Sequence, residues 1–112
     1  MKLKNRIAII TGGGKGIGAE LSLKLASEGA KIVIAEMDVP NGELVAKKIK
    51  ENNGEAIVIK TNVAEEDSAN DMAKEAINVF GKIDILINNA GTRHINNILD
   101  HTKQQWDEML SV

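Results

Sequence analysis

Four short aliphatic runs divide the chain, at residues 7–10, 32–35, 56–59 and 83–87. They are rich in β-branched side chains and, apart from Asp84 in the last, contain no polar position. That is the pattern of strands buried on both faces. They recur at intervals of about 25 residues, room for one strand, one helix and its turns.

The intervening stretches change to helical periodicity. In the first, Ile17, Leu21 and Leu25 form one stripe and Gly18, Ser22 and Ala26 a small-residue stripe beside it. The second offers Leu44, Val45 and Ile49 and stops at Asn53-Gly54. Its Lys47, Lys48 and Lys50 suit the wet face. The third carries Ala69, Met72, Ala73, Ala76, Val79 and Phe80, then stops at Gly81. A fourth helix is predicted from Thr102, where Thr102-x-x-Gln105 suits a capping box and Trp106, Met109 and Leu110 supply an apolar side. Alternating strands and helices with right-handed crossovers build a parallel sheet covered on both faces, a doubly wound α/β fold. Other α/β folds share that alternation, and the loops must choose among them.

The loop after the first strand reads Thr11-Gly12-Gly13-Gly14-Lys15-Gly16-Ile17-Gly18 and runs straight into a helix. A glycine turn there lets backbone approach a pyrophosphate, and the helix start supplies free N–H groups and positive dipole. Gly12 would make the tight turn, Gly16 the close approach, and Gly18 the close packing of helix on strand. A nucleoside-triphosphatase loop is excluded, since Gly-Lys must then precede a hydroxyl residue and Lys15 precedes Gly16. An acidic residue about 20 positions on should meet the adenosine ribose. Glu36, at the end of the second strand, lies 18 positions after Gly18.

The glycine segment, Asn88-Asn89-Ala90-Gly91 after the fourth strand, and the lead-in Phe80-Gly81-Lys82-Ile83-Asp84-Ile85-Leu86-Ile87 together resemble the short-chain dehydrogenase/reductase family over nearly the whole chain. The resemblance implies a Rossmann-like sheet of strand order 3-2-1-4 and an oxidoreductase moving hydride between a nicotinamide cofactor and a small-molecule alcohol or ketone. It assigns Thr11, Gly12, Gly16, Ile17 and Gly18 to the coenzyme loop. Asn88, Ala90 and Gly91 become the segment that supports the sheet and lines the coenzyme ribose. A buried Asn88 amide could bridge neighbouring strands. Asn62-Val63 stands at the adenine position, where family members commonly have Asp-Val.

Charge chooses between the two nicotinamide cofactors. Glu36 can accept from both ribose hydroxyls of NAD and would repel a 2′-phosphate by about 1 to 4 kcal/mol near a surface. Lys15, before the second glycine, could offset part of that. Met37 stands where an NADP user would place an arginine. NAD is therefore favoured, with NADP the alternative.

The family's catalytic serine and Tyr-x-x-x-Lys pair are missing. The chain contains no tyrosine, and Ser22, Ser27, Ser68 and Ser111 do not match the catalytic position. The 112 residues are thus expected to be the coenzyme-binding N-terminal part, one domain breaking off within its fourth helix and inactive alone. A non-catalytic dinucleotide-binding or sensing module is the competing function. His94 and His101 read as solvated loop residues, and two histidines without a third ligand make no metal site.

Composition adds exclusions. With 43% hydrophobic and only 2% aromatic residues, the core must be aliphatic. A net charge of -2 gives no reason to expect nucleic acid or an anionic membrane as partner. Without cysteine there is no disulfide framework or thiolate site. No stretch reaches the roughly 20 apolar residues of a membrane span, and the charged start is no signal peptide. A cytoplasmic location is expected, as is a homo-oligomer for the full-length form.

Overall fold

The structure is a computed structural model and describes residues 2–89. Seven elements alternate: β1 (Ile7–Thr11), α1 (Gly16–Ser27), β2 (Lys31–Glu36), α2 (Val39–Glu51), β3 (Ala56–Lys60), α3 (Glu66–Phe80) and β4 (Ile85–Asn88). The strands form one parallel sheet of order β3-β2-β1-β4. The order expected from the family resemblance is thus observed.

The two-residue period of a strand divides the core. Ala8 and Ile10 of β1, Ile32 and Ile34 of β2 and Ala56 of β3 face one way and pack with Val45, Ala46 and Ile49 of α2. Ala19, Leu23 and Ala26 of α1 join that face. Ile7, Ile9, Val33, Ala35 and Ile59 face the other way, against Met72 and Ala76 of α3. Two helices cover one face and one covers the other, so every residue of β1 is buried. Phe80 is the described aromatic side chain, and it packs beside the second cluster. Both faces are aliphatic, as the composition required.

The helix ends follow their chemistry. After α2 the left-handed position falls on Asn53 (φ 68), while the Gly54 N–H returns to the Ile49 carbonyl at 2.9 Å. The stop signal thus works with the asparagine in the left-handed slot. At the end of α3, Gly81 adopts φ 85 and donates to the Ile77 carbonyl at 2.7 Å. The lysines at 47, 48 and 50 are exposed, on the wet face predicted for them.

Two details correct the periodicity. Ile17 is 69% exposed and Leu44 is exposed too, whereas Gly18 and Ser22 are the buried residues of α1. The small-residue stripe, not the aliphatic one, lies deepest, because the helix sits too close to the loop beneath it for larger side chains. β4 begins at Ile85, two residues later than the aliphatic run. Asp84 explains this: its carboxylate accepts from the Ile7 N–H at 2.8 Å, so a side chain takes the place of a ladder bond. The fourth helix predicted from Thr102, with Trp106, Met109 and Leu110, lies outside the described residues.

Candidate functional site

Parallel register brings the strand ends together. Thr11 stands level with Ala35 on one side and Asn88 on the other, and Glu36 with Lys60. The chain after β1 therefore emerges at the point where the sheet order reverses. In open α/β sheets that is where ligands bind.

Gly12 turns the chain with φ 65, a left-handed conformation that costs an L side chain roughly 1–2 kcal/mol. Its N–H is tied to the Ala35 carbonyl at 2.8 Å. Gly18 is needed for another reason, since a Cβ there would collide with the Gly12 carbonyl oxygen. Close packing was expected at Gly18 between helix and strand, and the partner it meets is the loop's own backbone. Ser22, one turn on, donates to the Gly18 carbonyl at 2.8 Å and faces the Gly13 carbonyl. Gly16 has φ 49 and open space around the position of a Cβ.

α1 starts without a side-chain cap. Lys15 is its N-cap residue and accepts the Ala19 N–H through its backbone carbonyl. No acidic residue stands in the first turn. The first N–H groups of a helix have no acceptor within it, so those of Gly16, Ile17 and Gly18 are left without one inside α1. The exposed Ile17 side chain stands beside them.

Glu36 reaches into this corner. Its carboxylate accepts from the Gly14 N–H at 3.1 Å and faces the Asp38 N–H at 3.4 Å. The carboxylate that spacing assigned to the adenosine ribose thus contacts the glycine loop, a pairing the spacing itself does not predict. Asp38 was not singled out by the sequence reading. It caps α2, accepting from the Asn41 N–H at 3.2 Å, and pairs with the Lys15 ammonium at 3.3 Å. The Asn41 N–H first and the Lys15 ammonium second hold its carboxyl below the ordinary value. The signal was present: an aspartate directly before a helix with proline in its first turn is a capping pattern.

Asn62 is turned onto its own loop. Its amide oxygen accepts from the Ala64 N–H at 3.0 Å, its amide nitrogen faces Glu65 at 3.4 Å, and its backbone N–H meets the Ser68 hydroxyl at 2.9 Å. Val63 packs against Ala69 and Ala73. These residues shape the entry to α3. Asn88 corrects an expectation, because it is exposed. The neighbouring Asn89 reaches β1, its N–H donating to the Thr11 hydroxyl at 3.0 Å and its amide lying 3.5 Å from the Gly12 carbonyl. The Thr11 hydroxyl in turn faces the Ile87 carbonyl at 3.4 Å. Ala90, Gly91, His94 and His101 lie outside the described residues.

The opposite end of the sheet carries a different polar cluster. Asp84, its side chain only 11% exposed, meets Lys82 at 3.1 Å and Arg6 at 3.5 Å besides the Ile7 N–H. Burial alone would raise its carboxyl. The Ile7 N–H, Lys82 and Arg6 outweigh that and hold it below the ordinary value.

A doubly wound sheet with a glycine-rich turn at its switch point defines a dinucleotide-fold protein. The short chain dehydrogenase family model matches residues 6–112, and the chain belongs to that family of oxidoreductases. It is 35% identical over 107 residues to a 3-oxoacyl-[acyl-carrier-protein] reductase of Staphylococcus epidermidis, covering 95% of this chain and 44% of the relative. Among solved structures it resembles a 7α-hydroxysteroid dehydrogenase complexed with NADH and 7-oxo glycochenodeoxycholic acid (TM-score 0.75, 33% identity, 76% of this chain and 33% of that one). It also resembles a metagenomic short-chain oxidoreductase in complex with NADP (TM-score 0.78, 33% identity, 82% and 42%). The chain spans less than half the length of the curated relatives it matches. Among the described residues no helix is long and apolar enough to cross a membrane.

Proposed function

We propose that this chain is the coenzyme-binding part of an NAD(P)-dependent oxidoreductase acting on alcohols and ketones, with NAD the favoured cofactor. One observation carries the reading: the uncapped start of α1 opens beside the Gly12 turn, while the Glu36 carboxylate is held against the same loop at Gly14. The fit is chemical. Unspent N–H donors suit a diphosphate, and a carboxylate suits a pair of ribose hydroxyls. The related structures that hold NADH and NADP show both cofactors in use by neighbours of this fold.

In this reading the N–H groups of Gly16, Ile17 and Gly18 bind the diphosphate. Glu36 accepts from the adenosine ribose, and Asn62 and Val63 border the adenine. Thr11 belongs with the coenzyme loop, and Asn88, Ala90 and Gly91 line the coenzyme ribose. The bound nicotinamide would accept or donate a hydride. Protonating the substrate oxygen needs an acid such as the family's tyrosine, and these 112 residues contain none. Turnover by this polypeptide alone is expected to be undetectable, since losing general acid–base chemistry costs about 10²- to 10⁴-fold or more.

NADH fluorescence, titrated with the folded chain, tests the site. Saturable enhancement is expected, weakened in Glu36→Ala. A folded sample that leaves the NADH emission unchanged at every concentration would remove the proposal.

A further inference from the structure

We propose that Asp38 is a further specificity residue, which disfavours a 2′-phosphorylated adenosine by holding the one lysine of the glycine loop in an ion pair. The inference rests on the reading that Glu36 receives the adenosine ribose.

The geometry places three charges in one corner. Glu36 ends β2 and lies against the Gly14 N–H. Lys15, the next residue of that loop, extends its ammonium to Asp38 at 3.3 Å. Asp38 itself follows Glu36 by two residues, and its backbone N–H faces the Glu36 carboxylate. A ribose received by Glu36 therefore has its 2′-position beside both members of the pair. With Asp38 in place, the Lys15 charge is already matched, and a phosphate arriving there meets two carboxylates against one ammonium. A free Lys15 would instead offer the phosphate a charge-assisted hydrogen bond.

The pair also has a fixed anchor. The Asp38 carboxylate is held on the α2 start by the Asn41 N–H, and its second oxygen accepts from the Asn41 amide at 2.8 Å. Lys15 has its backbone set at the N-cap of α1, from which its side chain reaches across. The bridge thus spans the starts of two neighbouring helices, and the capping aspartate cannot swing away without uncapping α2. This separates Asp38 from a solvated surface partner that a ligand could displace freely.

Adenosine nucleotides isolate this corner from the rest of the site. Amide spectra of the ¹⁵N-labelled chain, titrated with 5′-AMP and separately with 2′,5′-ADP, give a ratio of dissociation constants. Asp38→Asn keeps an oxygen to cap α2 and removes the charge. It is expected to move the ratio toward 2′,5′-ADP by about fivefold, the worth of a surface charge contact. Asp38→Ser, also a capping residue, should do the same and stands in if the asparagine variant fails to fold. In the Lys15→Gln background the same replacement should move the ratio less, because no ammonium is released. An unchanged ratio in folded Asp38→Asn or Asp38→Ser overturns the inference while leaving the dinucleotide reading intact. Equal shifts with and without Lys15 overturn it too, since Asp38 would then act only as a bare charge. If neither nucleotide perturbs residues 12–18, the dinucleotide reading falls and this inference with it.

Discussion

The starts of α1 and α2 lie close together and are built in opposite ways. α2 begins at an aspartate whose side chain accepts from its own helix, with a proline in the first turn. α1 begins at a lysine with no side-chain cap and no acidic residue in its own first turn. Replacing a capping residue by alanine typically costs about 1 kcal/mol, so an uncapped helix forgoes stability that its neighbour retains. The difference teaches where the chain keeps donors open. α3 also lacks a side-chain cap, yet Glu66 and Asp67 in its first turn answer the helix dipole. α1 has neither device. Among the described helices, its start is the one left for an anion.

Breaking α1 at its base should have the largest effect. Gly18→Val drives a side chain into the Gly12 carbonyl, and a loss on the order of 3 kcal/mol in denaturant unfolding is expected. NADH binding should disappear with it. A variant as stable as the parent would show that α1 can lift from the loop.

A smaller effect serves as a control far from both helix starts. Asp84→Asn keeps the shape but removes the charge that Lys82, Arg6 and the Ile7 N–H surround, and a cost of about 2 kcal/mol is expected at neutral pH. The folded carboxyl is held below its ordinary value of 3.8. Its contribution is therefore complete above that value and is lost as pH falls through the lower, folded one. Unfolding curves of parent and variant should accordingly converge in acid. A gap that stays constant down to pH 2 would contradict the assignment.

Asp38→Ala should lower the unfolding midpoint while Asp38→Asn holds it, because only the first uncaps α2. Equal midpoints for the two would mean the cap contributes nothing. The smallest effect is also the sharpest. Lys15→Ser gives α1 the cap it lacks, and the backbone at that position is already extended (φ -139, ψ 149), as a cap requires. A gain of about 0.5 to 1 kcal/mol is expected, together with weaker NADH binding as the hydroxyl competes for the same N–H groups. A gain in stability with unchanged binding would separate the helix start from the ligand.

The burial of β1 and β2 on both faces and the glycine signals were legible in the sequence because they depend on local composition and geometry. The place of Glu36 at the end of β2 was legible too, but its contact with the Gly14 N–H was not. What could not be read depends on distance of approach. Ile17 fits a helical stripe, yet it is exposed because Gly18 and Ser22 bring α1 down onto backbone. Within Asn88-Asn89, periodicity does not say which amide crosses to β1. The role of Asp38 needed both its cap and its ion pair, and the second links residues on different turns of the fold.

β1 pairs on one side with β2 and on the other with β4, and the two partnerships have different histories. Ile9 meets Val33 on one side and Leu86 on the other. The first contact closes a loop of one helix, whereas the second waits for three helices and two strands to be placed. Loop-closure entropy rises with length, and distant pairings form late. The β1–β2–β3 layer is therefore expected to assemble first, with β4 sliding into the remaining groove as the last strand. Amide protons of β4 should then exchange with deuterium sooner than those of β2, through an opening that detaches this strand alone.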